Sequence, residues 1–267
     1  MRKRFAIGVA CGFLAFAMAA DDSVATAVVP ALNEWSGDVA KIQSAEADAP
    51  GAWEAAGRGQ FFSKATLPVN PVKGYRLAGS FRVPEGVAPQ SLYFGIVMYD
   101  ETGEIIKPQW VFAVKDTLTR LTAPVKAGDR SIRIADASGW KTGAVYVAAF
   151  QADPDGQNAD LPNRRVSSSI AAMTPDGAGA RLELAQPLTA DYPENTSVRM
   201  HLISAPFLYV GANNKTLTDQ WQELTGTVRG YRLWTGTRKI GIVVIVNATG
   251  DRNGVTQCRD LRLEETP

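Results

Sequence analysis

Two segments of the chain, residues 75–106 and 221–250, constrain the fold most, because each breaks into short apolar runs separated by turn residues. Apolar and polar or small residues alternate across 75–82, which is the period of two expected for a half-buried strand. The runs 92–99 and 240–246 are apolar almost throughout, as a strand covered on both faces requires. Short strands at regular spacing, with Gly, Pro, Asn and Asp between them, predict an all-β sandwich or barrel.

A third β-rich block, residues 121–203, lies between these segments and has its own turns. Gly128 and Asp129 form an early turn, residues 144–150 have a strong strand pattern, and the long stretch 151–164 is rich in Asp, Pro, Gly and Asn. A loop of that length is either functional or mobile. The block has the size of a small domain, and its short strands could close into a small barrel. We expect it to be inserted in a loop of the sandwich, with its two ends close together.

The beginning of the chain, residues 1–19, has the pattern of a secretory signal peptide. Residues 2–4 are basic, 5–16 are apolar, and 17–19 form an A-x-A cleavage site. A membrane-spanning anchor needs ~20 apolar residues, so this apolar run is too short. Lipidation at Cys11 is the alternative, but no Leu stands three positions before it. We therefore expect a secreted protein, located in the periplasm, outside the cell or at the cell surface.

Removal of the signal peptide leaves Cys258 as the single cysteine and changes the charge balance to 25 Lys and Arg against 27 Asp and Glu, a net charge of about −2. One thiol cannot form an internal disulfide, so the core must hold the fold together. A chain of this length can bury enough surface for that. No basic stripe suggests nucleic acid, and no later segment is apolar enough to span a bilayer.

The outer segments resemble the jelly-roll carbohydrate-binding modules of the galactose-binding-like superfamily. The resemblance is carried by YRLAGSFRV, LYFGIVMYDETGEII, WQELTGTVRG, GTRKIGIVVIVN and CRDLRLEE. It implies a jelly-roll β-sandwich formed by residues 20–120 together with 204–267, interrupted by a small β-domain at 121–203. The opening of that middle block resembles small β-insertions of secreted and phage-tail-like proteins. Because this superfold hosts many functions, the resemblance supports the architecture more than the function.

The same resemblance implies one structural calcium ion, held by oxygen atoms of the first and last strands. Asp260 matches the last-strand aspartate of those modules, and its counterpart would lie near Asn33 and Glu34. Calcium takes six or more oxygen ligands. An aspartate that simply faces water on an edge strand is the alternative.

Signals for catalysis are weak. His201 is the one histidine, it has apolar neighbours, and no nucleophile elbow accompanies it. Cys258 lies in a predicted last strand, where a small buried apolar role is expected. A zinc site would need several His or Cys ligands. The carboxylates Asp100, Glu101 and Glu104 lie in the sequence YDETGE, which predicts a turn more than the paired carboxylates of a glycosidase.

Aromatic residues are the better candidates for binding, since six tryptophans are many for a chain with so little helical pattern. Indole rings can stack on sugar rings, and pockets combine aromatics with a few placed polar groups. We predict Trp110 and Trp234 as ligand-binding residues, with Gln109, Arg232 and Asn247 as polar contacts. Core positions are expected for two other tryptophans, Trp140 and Trp221.

Three hypotheses follow for the function. The first is a non-catalytic module that binds a polysaccharide, a glycan or another extracellular polymer. The second is a jelly-roll polysaccharide lyase or glycoside hydrolase that uses carboxylates or tyrosines such as Tyr99 and Tyr209. The third is a structural or assembly protein of the cell exterior, with the middle block making protein contacts. The lack of a convincing acid and base pair favours the first.

Overall fold

The computed structural model describes residues 27–45, 52–248 and 254–267. The predicted signal peptide, including Cys11, lies outside these residues. Within the described ranges the regular secondary structure is almost entirely β-strand, with one short α-helix, α1 (Pro108–Val111), and 3-10 turns at Leu32–Glu34, Val39–Lys41 and Gly230–Arg232. No described helix has the length and apolar character needed to cross a membrane.

Eighteen strands are present among the described residues. In the first third of the chain they are β1 (Ala27–Val28), β2 (Trp35–Gly37), β3 (Ile42–Ser44), β4 (Trp53–Ala56), β5 (Gly59–Ser63), β6 (Leu67–Pro68), β7 (Gly74–Arg82) and β8 (Ser91–Tyr99). In the middle they are β9 (Thr119–Arg120), β10 (Ser131–Ile134), β11 (Gly143–Phe150), β12 (Val166–Asp176), β13 (Gly179–Leu184) and β14 (Ser197–Leu202). The last are β15 (Leu208–Thr216), β16 (Gln222–Arg229), β17 (Lys239–Val246) and β18 (Val255–Thr266).

Two antiparallel sheets use only strands from the two ends of the described chain. Sheet A has the order β16-β7-β18-β4-β3, with β1 paired to β18. Sheet B has the order β15-β8-β17-β5-β2, with β6 paired to β17. Each sheet therefore contains strands from both sides of the middle block. In sheet A, β16 pairs with β7, and in sheet B, β17 pairs with β8.

The space between sheets A and B holds the main core. Every second residue of the central strands points into it, as strand geometry requires. The core residues of β8 and β17, all buried, are Leu92, Phe94, Ile96, Met98, Ile240, Ile242, Val244 and Val246. Cys258 of β18 is also fully buried there, and burial raises the pKa of its thiol. The predictions of an all-β jelly-roll sandwich, of the two apolar strands and of a buried Cys258 are confirmed.

A third sheet, sheet C, contains strands from residues 119–202, in the order β10-β13-β12-β11-β14-β9. Its own buried cluster includes Trp140, whose indole nitrogen donates to the Thr117 carbonyl oxygen at 2.9 Å. Two backbone hydrogen bonds join the outermost strands, from Thr122 N to Arg133 O and from Ala135 N to Arg120 O, both at 3.0 Å. The separation of this block as an inserted domain stays a prediction.

The expectation that Trp221 fills the sandwich core is wrong. Trp221 is half-buried just before β16, and the guanidinium groups of Arg82 and Arg259 lie 4.6 and 4.1 Å from its ring centroid. Both arginines belong to sheet A, whose outward positions are polar. The indole is therefore held at the surface by cation–π contacts.

Candidate functional site

The outer side of sheet B carries a group of aromatic side chains that we call the aromatic face. Its members are Phe62, Tyr93, Tyr99, Phe207 and Tyr209. Alternate residues of a strand point to opposite sides of a sheet. Since the even-numbered residues 92–98 of β8 fill the core, Tyr93 and Tyr99 must point outward.

The rings of the aromatic face form a continuous row. Tyr93 and Tyr209 have centroids 4.9 Å apart, Tyr209 and Phe207 are 6.3 Å apart, and Phe207 and Phe62 are 5.4 Å apart. These spacings lie within the range of favourable aromatic pairs. The row crosses sheet B from its edge strand β15 to β5. Phe207 is only 7% exposed, so the half-buried rings of Tyr93, Tyr209 and Phe62 are the ones that can contact an extended ligand.

Two valines lie beneath this row. Val97 and Val243 are fully buried although they point to the outer side of sheet B, and Phe207 packs with them at 7% exposure. Phe207 comes from the segment that leaves sheet C and enters β15. The close approach of β15 depends on Gly95, because a Cβ there would lie 2.5 Å from the Leu208 carbonyl oxygen and 2.9 Å from Tyr209 Cα.

Tyr99 and Tyr209 of the aromatic face are the tyrosines that the enzyme hypothesis would use. Burial raises the pKa of Tyr99, and burial followed by the neighbouring Tyr93 raises the pKa of Tyr209. Both phenols are therefore neutral at physiological pH and are poor bases. The apolar residues Val97 and Ile245 belong to the same cluster, and Lys239 of β17 is paired with Tyr99 of β8.

The two tryptophans predicted to bind ligand lie in another place, where α1 meets sheet C. Trp110 is only 6% exposed, and Lys107 Nζ and the Arg164 guanidinium lie 5.1 and 5.2 Å from its ring centroid. Trp234 is half-buried and makes an edge-on contact with Phe112 at 5.3 Å. The structure brings Trp110 and Trp234 into one apolar cluster, but the ring of Trp110 is already covered by its own neighbours.

The three predicted polar contacts are dispersed. Gln109 belongs to α1, and its carbonyl oxygen bonds His201 Nδ1 at 2.8 Å. Arg232 is exposed and lies 5.6 Å from the Tyr231 ring. Asn247 follows β17 and is 2% exposed, and its side-chain amide has no hydrogen-bond partner among the described residues. The role of these residues in binding stays a prediction.

The acidic sequence after β8 forms a turn. Thr102 donates to Asp100 through its backbone N–H and its hydroxyl, and the Glu104 N–H donates as well. The Asp100 carboxylate also pairs with Arg164. Burial by itself would raise the pKa of Asp100, but these hydrogen bonds and the Arg164 charge outweigh it and lower the pKa. A carboxylate held in this way orders the turn and cannot easily supply a proton.

His201 belongs to a buried polar network at the junction, the place where α1 meets sheet C. Arg199 Nε donates to His201 Nε2 at 3.1 Å, so the proton of the neutral ring is on Nδ1, which donates to the Gln109 carbonyl oxygen. Arg199 is 4% exposed and also donates to both carboxylate oxygens of Asp160 at 3.1 and 3.0 Å. Burial lowers the pKa of His201 to about 4. The structural role expected for this histidine fits that environment.

The surroundings of Asp260 do not fit a calcium ion as far as the described residues extend. Its side chain is 59% exposed, it has a φ of 56°, and one carboxylate oxygen lies 3.5 Å from Arg259 Nε. The described residues contain no group of three or more His, Cys, Asp or Glu that could hold a metal ion. A lone carboxylate next to a guanidinium lacks the six oxygens that calcium requires. Calcium binding stays a prediction.

Sequence reasoning missed Phe62, Tyr93 and Phe207 as candidates. The sequence contained one signal for Tyr93: residues 93 and 99 both have odd numbers within a strand whose even-numbered residues are apolar. Residues separated by an even number of positions in a strand point to the same side of the sheet, so both tyrosines lie on one side. Phe207 had no such signal, because its place over β8 and β17 depends on how the chain leaves sheet C.

Comparisons with known proteins add little to this description. No protein-family model and no curated protein match the chain. Among solved structures, it is similar to the CBM22-1 xylan-binding domain of Paenibacillus barcinonensis Xyn10C, with 9% sequence identity, a TM-score of 0.36 and coverage of 89% of each chain. A likeness this distant carries no argument about the ligand of the present chain.

Proposed function

We propose that this protein is a secreted module that binds an uncharged polysaccharide through the aromatic face of sheet B. The observation that carries the proposal is the row of four rings, joined by three ring contacts from Tyr93 to Phe62, on the outer side of a sheet. Aromatic rings contribute large contact areas at low entropic cost, and sugar rings present apolar C–H faces to them. The tyrosine hydroxyls add hydrogen-bonding groups at the same surface.

Binding without chemistry is the form of the proposal that the environment supports best. A lyase that used Tyr99 or Tyr209 would need a nearby cation or base to ionise the phenol, yet burial raises the pKa of both. A hydrolase would need two available carboxylates at a defined separation. Asp100, the buried carboxylate of the acidic turn, is occupied by Arg164 and by hydrogen bonds from Thr102.

The wider organisation of the chain is part of the proposal. We infer that residues 20–120 and 204–267 form one discontinuous sandwich, that 121–203 form an inserted small β-domain, and that 1–19 are removed on export. The strand orders of sheets A, B and C and the bonds between the edges of sheet C support the first two statements. The basic, apolar and small-residue regions of the first nineteen residues support the third.

The test is a pair of substitutions with a matched control. Tyr93→Ala and Tyr209→Ala each remove one ring of the row, whereas Tyr231→Ala removes a tyrosine that is 67% exposed and lies on the turn Gly230–Arg232. Affinity electrophoresis in gels containing cellulose derivatives, xylan, mannan or mixed-linkage glucan measures binding. Loss of a hot-spot ring costs ~2 kcal/mol or more, roughly thirtyfold in Kd.

We expect both face variants to lose binding and Tyr231→Ala to keep it, with thermal unfolding showing that all three fold. Loss with Trp234→Ala but not with the face variants would place the site at the junction instead. No retention by any polysaccharide, together with a concentration-dependent dimer that Tyr209→Ala dissociates, would show that the face is an assembly surface.

A further inference from the structure

A shallow, widely open cleft of about 740 Å³ lies where the sandwich meets sheet C. Residues 111–113, at the end of α1 and just after it, form one wall, and Asn158 and Leu161 of the long loop form another. Leu202, at the end of β14, and Thr235 also line it. We call this space the junction cleft. Its volume is typical of small-molecule sites, which occur preferentially where two structural units meet.

All the residues that line the junction cleft are uncharged. Four of them offer side-chain hydrogen-bonding groups: the amides of Gln157 and Asn158 and the hydroxyls of Ser204 and Thr235. Neither hydroxyl has a hydrogen-bond partner among the described residues, and the Gln157 amide nitrogen makes only a long bond of 3.4 Å to the Asp155 carbonyl oxygen. Phe112 adds an aromatic ring. A combination of two amides, two free hydroxyls and one ring suits a ligand with many hydroxyl groups and no charge.

The polar groups are also held in place before any ligand arrives. Arg199 Nη1 donates to Asn158 Oδ1 at 2.5 Å, which fixes the amide and leaves its NH₂ group as the donor. Arg199 is itself held by Asp160 and His201, so the position of Asn158 depends on the buried network. Fixing a polar group beforehand removes part of the entropic cost of binding.

The aromatic wall is ordered in the same way. Phe112 makes its edge-on contact with Trp234, and its carbonyl oxygen accepts the Leu202 N–H at 2.9 Å. On the other side, Gly236 lets the turn that carries Thr235 approach the long loop, because a Cβ there would lie 2.6 Å from Pro162 Cδ. The ring of Phe112 and the turn that carries Thr235 are therefore each held in place by their own neighbours.

We propose that the junction cleft is a second binding site of this protein and that it takes a short stretch of an uncharged oligosaccharide. The amides and hydroxyls bond the sugar hydroxyls, and Phe112 contacts a ring face. The ligand class follows from the lining of the cleft and does not rest on the aromatic face. Ser204 lies three residues before Phe207 of that face, so one polymer that reached both sites would gain affinity by multivalency.

The experiment uses the full mature chain, with cellotetraose, xylotetraose and mannotetraose as separate probes and trigalacturonate as a charged comparison. Side-chain amide signals of Gln157 and Asn158 in NMR spectra report occupancy of the cleft. Thr235→Ala should weaken binding roughly 3- to 10-fold, the usual effect of losing one hydrogen bond. Thr227→Ala, an exposed threonine on sheet A, is the matched control.

A blocking variant tests the space itself. Ser204→Trp fills the cleft from an exposed position and should abolish the amide shifts, while Ala127→Trp places the same indole on an exposed turn beside sheet C and should not. Tyr209→Ala should keep the shifts whether or not the aromatic face binds polymer, so the two proposals can fail separately. The cleft proposal is overturned if no neutral probe shifts the amides at about 10 mM, which is beyond a millimolar Kd. It is also overturned if only trigalacturonate shifts them, or if Ser204→Trp leaves the shifts unchanged.

Discussion

The stability of this protein should fall as the pH drops from 7.5 to 5, and His201 should be the main cause. The chain contains one histidine, and in the folded protein it is neutral, with a pKa lowered by burial to about 4. In the unfolded chain the pKa returns to about 6.5. Between these two pKa values the unfolded state binds one proton more than the folded state. The contribution of His201 to the free energy of unfolding is therefore fully present well above pH 6.5 and is lost as the pH falls toward 4.

The size of the effect follows from the difference in proton binding. Between pH 7.5 and pH 5 the linkage relation gives a loss of about 2 kcal/mol for a group with these two pKa values. The carboxylates add little in this window because their ordinary pKa values lie lower. His201→Gln keeps an amide that can donate to the Gln109 carbonyl oxygen and accept from Arg199, but it does not titrate.

Urea unfolding of the wild type and of His201→Gln, at half-unit steps from pH 5 to 7.5, measures this difference. We expect the wild type to lose about 2 kcal/mol more than the variant over that range. The imidazole C–H signal, which belongs to a single residue, reports the pKa directly by NMR. Equal pH slopes for the two proteins, or an imidazole that titrates near 6.5 in the folded state, would refute the reasoning.

Three further results are expected. Gly95→Ala should lower stability by roughly 1 to 3 kcal/mol and weaken polysaccharide retention, because the new methyl group displaces β15 together with Tyr209. Unchanged retention would show that the position of β15 does not matter for binding. Arg199→Met should lower the free energy of unfolding in urea by roughly 3 to 5 kcal/mol, because Asp160 keeps a largely buried charge without its partner. Adding Asp160→Asn to the same chain should recover part of that loss. An unaltered urea midpoint for Arg199→Met would show that the buried network does not stabilise the protein. Calcium at millimolar concentration tests the predicted metal site at Asp260. A rise in the melting temperature of the wild type but not of Asp260→Ala would establish the site, and an unchanged melting temperature of the wild type would contradict it.

Part of the fold could be predicted because it depends on local periodicity. The strand at residues 240–246 is almost entirely β-branched, and it lies as β17 in the middle of sheet B, covered by the core on one side and by Phe207 with its neighbours on the other. The alternation at 75–82 likewise became β7, between β16 and β18. Side chains that alternate in character along a strand report directly which side of the sheet is buried.

The binding surfaces were harder to predict because they join residues that are far apart in sequence. Trp110 was predicted from its polar neighbours, yet α1 lies where sheet C packs, and Arg164 from the long loop covers its ring. Tyr93 and Tyr209 meet only because β15 pairs with β8 across the whole middle block. Asn158 is held at the junction cleft by a hydrogen bond to its amide oxygen from Arg199, which lies forty-one residues later in the chain.

The sequence by itself determined that this chain forms all-β sheets, that residues 92–99 and 240–246 are buried strands, and that Cys258 is an internal apolar position. These features are set by the order of apolar and polar side chains along a few neighbouring residues. Only the tertiary structure decided that the outer side of sheet B is aromatic, that the two predicted tryptophans lie together at the junction, and that His201 is locked in a buried network. The physical reason is that a surface is defined by which strands lie side by side, and long-range pairing brings together residues whose local patterns carry no information about each other.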